Sequence, residues 1–237
     1  MNRFFTEDIA GNTARITGED VKHISRVLRL RVGEQIAVCD GRANEYIGEI
    51  TSISDAEVLC RVGEAQPSLT ESRVRVTLFQ GLPKSGKMET IVQKCVELGI
   101  DTVVPTLLSR CVAVPTRDFE KKRIRYQRVA EEAAKQSRRG IIPNVTGVVR
   151  VQDIDCTAFD TVLVAYEDEH ATTLKEVLRA GVGERIAIVI GPEGGLEASE
   201  VAMLCGKGAK TVSLGTRILR TETAGMAMLA QILYELD

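Results

Sequence analysis

No apolar run in the 237-residue chain approaches the roughly 20 residues that a bilayer-crossing helix needs; a typical one, Ile186 to Ile190, has five. Met1 is followed by Asn2, Arg3, Phe4, Phe5, Thr6, Glu7 and Asp8, and that early acidic pair leaves no space for the apolar stretch of a secretory signal. A cytoplasmic protein without a membrane span is expected. Excess positive charge is also lacking: 31 basic residues face 33 acidic ones, a net charge of −2. The overall field therefore does not drive nucleic-acid binding, although a local basic patch still could. Only His23 and His170 are available as imidazole ligands. The six cysteines, Cys39, Cys60, Cys95, Cys111, Cys156 and Cys205, are widely spaced with no CxxC pair. No zinc-ligand spacing results, so reduced, buried thiols are expected and metal catalysis is set aside. There is no internal repeat and no low-complexity tract.

What is present suffices for a core, since 44% of the residues are hydrophobic. From Arg3 to about Val62 the apolar signal comes in short strand-like runs, RFF, TARIT, QIAVCDG, NEYIGEITSI and AEVLCRV, with Asp40–Gly41 as a turn marker. A small β-barrel is predicted there. One amphipathic helix interrupts it over Gly18 to Leu30, with Val21, Ile24, Val27 and Leu28 at helical spacing. The polar stretch Gly63 to Arg73 reads as a linker.

Beyond it, strand and helix signals alternate, which predicts an α/β domain with a mainly parallel sheet. Strands are expected at VRVTLFQ, DTVVPTL, TVLVAY, RIAIVI and KTVSLG. Helices are expected over Lys84 to Leu98, Asp118 to Ser137, Thr173 to Ala180, Glu197 to Lys207 and Glu222 to Leu236, the last burying Met226, Leu229, Ala230 and Leu233. Two turns stand out. IVIGPEGGLEASEV runs from an apolar strand through three glycines around a Pro-Glu pair into a helix; such a loop lets backbone amides approach a ligand closely. It is neither GxGxxG nor GxxxxGK[ST], so it is no dinucleotide or nucleoside-triphosphate fingerprint. About 20 residues on, SLGTRILRTETAGMAML repeats the strand, glycine turn and helix, with Arg217, Arg220, Thr221, Glu222 and Thr223 crowding the helix start.

GPEGG at Gly191 to Gly195 followed by LGTRILRTETA at Leu214 to Ala224 resembles the cofactor-binding end of the SPOUT methyltransferases, and more narrowly the 16S ribosomal RNA (uracil-N(3)) methyltransferase family. RVLRLRVGEQI, DGRANEY, QKCVELGIDTVVP, LLSRCV and EEAAKQSRRGIIPNV extend the resemblance over most of the chain. It implies a PUA-like RNA-binding β-barrel over residues 1–70. Over 71–237 it implies an α/β SPOUT domain whose mainly parallel sheet is threaded into a trefoil knot. Homodimerisation, S-adenosylmethionine as methyl donor, and 16S ribosomal RNA of the small ribosomal subunit as substrate come with it. The implied cofactor contacts are Ile190, Gly191, Pro192, Glu193, Gly194, Gly195, Leu214, Gly215, Ile218, Leu219, Arg220, Thr223 and Ala224. One run departs from the family. Where the family has Glu-Gln-Ser-Gly-Arg, this sequence has Lys135, Gln136, Ser137, Arg138 and Arg139; Gln136, Ser137 and Arg139 match, and Lys135 and Arg138 are given no role.

From Arg117 to Arg139, nine basic residues face four acidic ones, a local charge of +5 in a chain whose total is negative. Such a strip suits phosphate contacts, although a solvated helix face would look the same. With the resemblance, Arg26, Arg29, Arg31, Arg123, Arg128, Gln136 and Arg139 are the expected RNA contacts. Methylating a uracil imino nitrogen requires loss of its proton, and the resulting charge spreads onto the flanking carbonyl oxygens. Arg220 and Arg110 are candidates for the cation that stabilises it, and Glu222 for proton acceptor or positioning group. Two other readings stay open: a non-catalytic ribosomal RNA binding or assembly protein, and a SPOUT ribose 2′-O-methyltransferase.

Overall fold

The computed structural model describes every residue except Ser85, Val114, Thr116 and Arg117, so the first arginine of the basic strip lies outside the described residues. The chain forms two compact units, Met1–Glu71 with Ala134–Ile142, and Ser72–Ala133 with Pro143–Asp237.

The first unit is built on a mixed seven-stranded sheet: β1 (Arg3–Phe5), β2 (Ile9–Ala10), β3 (Thr13–Thr17), β4 (Gln35–Cys39), β5 (Asn44–Ile53), β6 (Glu57–Val62) and β7 (Gln66–Pro67). Its order is β1-β4-β5-β6-β3-β2, with β7 on β5. Alternation decides which side chains go inside. In TARIT, Ala14 and Ile16 are buried while their neighbours face solvent, and with Phe4, Ile36, Ile50 and Val58 they make the core. The β4–β5 hairpin turns at Asp40–Gly41 as the sequence indicates, with the Asp40 carboxylate accepting the Arg42 and Asn44 backbone N–H groups at 2.7 and 3.1 Å.

Two expectations change here. The segment at Gly18 is no regular helix: α1 (Glu19–Lys22) widens into a π-turn over His23–Val27, closed by Leu28 N–H to His23 O at 2.9 Å. The extra residue in that turn shifts the register, so Val21 and Ile24 stay buried but Val27 is 71% exposed. The stretch at Gly63, read as a linker, is largely knitted into this unit. β7 pairs with β5, and the Glu71 carboxylate receives Arg139 Nη2 at 2.6 Å and the Gly140 N–H at 2.7 Å. Arg139 is only 4% exposed, so its guanidinium is committed to Glu71 and is no surface contact for phosphate. In the same segment Arg138 has φ +62°, the left-handed conformation that glycine adopts without penalty. Lys135 Nζ is held by both Asp20 oxygens at 2.7 and 2.9 Å. The family's glycine and glutamate are thus replaced at a turn and at an ion pair.

The second unit carries a parallel sheet of β8 (Arg75–Gly81), β9 (Thr102–Leu107), β10 (Asn144–Val145), β11 (Val149–Arg150), β12 (Thr161–Ala165), β13 (Arg185–Ile190) and β14 (Lys210–Val212). The order is β10-β9-β8-β13-β12-β14, with β11 on β9. RIAIVI is the innermost strand: Ile186 to Ile190 are all buried, as a parallel strand covered on both faces requires. The helices are α2 (Lys87–Leu98), α3 (Phe119–Gln136), α4 (Leu174–Arg179), α5 (Ala198–Gly206) and α6 (Thr221–Leu236). Local chemistry sets their limits. Gly99, at φ +106°, stops α2; Thr173 and Glu176 form a capping box on α4, and Glu197 and Glu200 one on α5. The buried stripe of α6 is Gly225, Met228, Leu229 and Ile232, leaving Met226, Ala230 and Leu233 only half-buried. Of the expected stripe only Leu229 is kept, because α6 packs against α2 as well as the sheet and the seam lies on a neighbouring helical row.

Cys39, Cys60, Cys95 and Cys156 are buried, Cys111 is partly so, Cys205 is exposed, and all six are free thiols. Burial pushes the Cys95 thiol up to about 12 and Cys39 and Cys60 to about 11, which keeps them protonated and unreactive. Among the described residues no helix is long and apolar enough to cross a membrane, and no group of three or more His, Cys, Asp or Glu could hold a metal ion.

Candidate functional site

Three adjacent parallel strands of the second unit, β13, β12 and β14, end at one edge of the sheet, and the loops leaving their carboxyl ends surround a cavity of about 740 Å³. Ligand crevices of open α/β sheets occur at this position because side chains of different strands converge there while the backbone stays fixed. The β13 loop is Gly191–Gly195. Its turn is closed by Gly195 N–H to Pro192 O at 2.9 Å, and Gly195 has φ +73°. The loop lies directly against the end of β8: a Cβ on Gly81 would sit 2.5 Å from the Pro192 nitrogen. The β14 loop supplies Ser213 to Arg220, and the β12 loop supplies Tyr166, Glu167, Asp168 and His170.

Of the expected cofactor contacts, Ile190, Gly191, Pro192, Glu193, Gly195, Leu214, Gly215, Ile218, Leu219, Arg220 and Ala224 line this cavity. Gly194 and Thr223 do not; both are exposed beside it. Gly194 faces Arg110, where a Cβ would come within 3.1 Å of the Arg110 Cβ. Thr223 lies in the first turn of α6, its N–H bonded to Arg220 O at 2.8 Å.

The three candidate chemical groups differ in their surroundings. Arg220 is exposed on the cavity lining, at the N-cap of α6. Its charge reaches the Glu222 carboxylate more weakly than that of Lys87 does. Glu222 is outside the lining. Its own backbone N–H and the Lys87 ammonium, 3.1 Å away, hold its carboxyl below the usual carboxylate range against the opposing effect of burial. Lys87 also pairs with Glu193 Oε1 at 3.0 Å. Arg110 is outside the lining too. Its Nε donates to Glu197 Oε1 at 2.8 Å and its Nη1 to Gly194 O at 2.9 Å, so this guanidinium braces the glycine loop. A carboxylate held below its usual range is a weak base toward an imino proton, and of the two candidate arginines only Arg220 is on the cavity lining.

Sequence reasoning did not single out Lys87, Tyr166, Glu167, Asp168 or His170, all on the lining. EDEH directly after TVLVAY was the available signal, because polar residues at the carboxyl end of a parallel strand are well placed to meet a ligand.

The expected RNA contacts divide by burial. Arg26, Arg29, Arg31, Arg128 and Gln136 are exposed. Arg26 pairs with Asp55 at 3.3 Å, a fully solvated contact that costs little to break. Arg123 is half-buried; its Nε donates to both Glu120 oxygens at 2.9 Å and pulls that carboxyl down.

Residues 70–233 match the family model for an RNA methyltransferase domain, and residues 16–63 match that for an RNA methyltransferase PUA domain. A ribosomal RNA small subunit methyltransferase E of Bacillus subtilis is 38% identical over 233 residues, covering 95% of this chain and 91% of its own. The chain belongs to this methyltransferase family. The Synechocystis member is 32% identical over 235 residues, covering 95% of this chain and 74% of its own. The crystal structure of the Neisseria gonorrhoeae member bound to S-adenosyl methionine superposes with a TM-score of 0.87 at 26% identity, covering 98% of this chain and 96% of that one.

Proposed function

We propose that this family member methylates a uridine base at N(3) in 16S ribosomal RNA of the small ribosomal subunit, in the cytoplasm, with S-adenosylmethionine as donor. One observation carries the reading. The cavity at the carboxyl ends of β12, β13 and β14 combines glycine-loop walls, the apolar Ile190, Leu214, Ile218 and Leu219, the carboxylates Glu167 and Asp168, and two exposed arginines, Arg217 and Arg220, of which Arg220 stands at the start of α6. That lining suits a ligand with a flat apolar ring, hydrogen-bonding edges and a positive charge, and the volume is ample for it. When bound, the donor supplies an electrophilic methyl group.

The imino proton passes to solvent water and the demethylated thioether leaves, and the chain's own residues bind, orient and stabilise charge. The backbone of Gly191–Gly195 and of Leu214–Gly215 offers peptide groups to a ring edge and ribose, and Ile190 and Leu219 exclude water from the ring faces. Arg220 places its charge where the uracil carbonyl oxygens become negative, which lowers the barrier because that charge is greatest during transfer. Arg110 holds Gly194 O and so positions the loop; Glu222, with Glu193, positions Lys87. Calorimetry with S-adenosylmethionine and nucleoside mass spectrometry of ribosomal RNA from cells with and without the protein test the reading. N(3)-methyluridine that disappears with the protein is expected. A 2′-O-methyl product, or no donor binding, overturns it in favour of the ribose-methylating or the non-catalytic alternative respectively.

RNA contact is assigned to exposed residues of each unit, Arg26, Arg29, Arg31 and the neutral donor Gln136 in the first and Arg128 in the second. Replacing Arg26, Arg29 and Arg31 together should flatten the dependence of log affinity on log salt by about one unit for each phosphate that is no longer neutralised, and leave the modified nucleotide unchanged. An unaltered slope removes them from the interface.

A homodimer is also proposed. Thr223, Ala227, Ala230 and Tyr234 recur at helical spacing on α6, and the chain buries none of them fully, Tyr234 being 89% exposed. Light scattering at micromolar concentration should give twice the chain mass, and a monomer there would refute it.

A further inference from the structure

The molecule's strongest unexplained polar feature runs from Thr221, on the cavity lining, to Gln80 behind it. Gln80, on β8, is completely buried, yet among the described residues its side-chain Oε1 has no hydrogen-bond partner. Its Nε2 lies 3.1 Å from Gly81 O and 2.9 Å from Thr221 Oγ1, and Thr221 Oγ1 lies 2.6 Å from Gly191 O. Thr221, the first residue of α6, is 6% exposed.

The direction of every proton in this chain is fixed by elimination. Gly81 O can only accept, so the Gln80 amide must turn its NH₂ toward it, and the same NH₂ then donates to Thr221 Oγ1. The Thr221 hydroxyl, already an acceptor from Gln80, points its own proton at Gly191 O, the remaining acceptor. The cost of this orientation is the stranded Oε1, which faces Gly225, where a Cβ would stand 3.4 Å away. A buried acceptor left without a donor is destabilising, so a side chain serving packing alone would be better replaced by an apolar one of the same shape. The amide is retained at a point where it aims a hydroxyl at the first residue of the glycine loop.

We propose that Gln80 and Thr221 are positioning residues for donor binding: together they pin the Gly191 carbonyl and so hold the Gly191–Gly195 loop in its binding shape. This deepens the reading of the cavity as the S-adenosylmethionine site and rests on it. Two contacts make the pin effective. A Cβ on Gly191 would lie 2.8 Å from the Gly195 carbonyl carbon, so the two ends of the loop touch, and fixing one end fixes the other. Ile190, just before the loop, is paired with Gln80 itself across β13 and β8, so the amide and the carbonyl it controls belong to one rigid ladder.

The test compares Thr221→Val, which keeps the shape and loses the hydroxyl, with Thr221→Ser, which keeps the hydroxyl, and Gln80→Met, which removes the amide that orients it. In the ligand-free protein, amide hydrogen exchange of Glu193 to Gly195 should accelerate about tenfold in Thr221→Val and Gln80→Met and stay near wild type in Thr221→Ser. The dissociation constant for S-adenosylmethionine should rise by about the same factor in the first two and stay near wild type in Thr221→Ser. The proposal is overturned if Thr221→Val exchanges and binds like wild type, or if Thr221→Ser behaves like Thr221→Val. Wild-type protein that fails to bind the donor refutes the cavity reading alone, and the exchange measurement still decides the role of the pin.

Discussion

Replacing Arg220 by alanine should slow the single-turnover methyl-transfer step by about two to three orders of magnitude, the range for losing one preorganised donor to a developing oxyanion. Donor affinity and thermal stability should change little. Stability should hold because the role of Arg220 in starting α6 is played by its backbone, whose carbonyl accepts the Thr223 and Ala224 N–H groups at 2.8 Å whatever the side chain is. Affinity should fall far less than the rate because most of the lining that meets the donor is the glycine-loop backbone and the apolar Ile190, Leu214, Ile218 and Leu219. The rate falls because negative charge reaches the uracil oxygens mainly during transfer. Lys87 cannot substitute, as it is engaged by Glu193 and Glu222 at 3.0 and 3.1 Å. Lysine at position 220 should recover part of the rate, a point charge replacing a planar fork. Single-turnover rates and calorimetric affinities on the same preparations separate the outcomes; a parallel loss of rate, affinity and melting temperature would make Arg220 structural.

The glycine turns were legible because close backbone approach and φ above zero leave a local mark on the sequence. Gly191, Gly195 and Gly215 sit in loops on the cavity lining for those reasons. The β12 loop was not legible as part of the site. Tyr166, Glu167, Asp168 and His170 reach the cavity only because β12 lies between β13 and β14, a pairing order that no local period encodes. Charge on α3 and its flanks misled in a related way. A count along the helix registers Arg123 and Arg139 as free cations, whereas the carboxylates that hold them are Glu120, one turn away, and Glu71, 68 residues away in sequence. Arg110 is the same case, its partner Glu197 being 87 residues distant. The knot was beyond any pattern argument, since threading leaves no trace in composition or period; it was expected from the family resemblance alone.

Replacing Gly195 by valine should abolish measurable S-adenosylmethionine binding while the fold survives. Two penalties meet at this residue. Its φ of +73° is a conformation that costs a side-chain-bearing residue about 1–2 kcal/mol, more for a β-branched one. A new Cβ would also stand 3.0 Å from Glu167 Oε1, so that carboxylate on the cavity lining must shift by a few tenths of an ångström. Gly208 separates the two effects. It has φ +95°, nothing within 4 Å of a built Cβ and no place on the cavity. Gly208→Val should therefore lower the melting temperature through backbone strain alone and bind the donor normally, while Gly195→Val shows the strain and loses the site. Melting curves and calorimetric titrations of the two variants decide the matter. Normal donor binding by Gly195→Val would move the site away from the glycine loop, and equal loss of binding by both variants would trace the effect to general destabilisation.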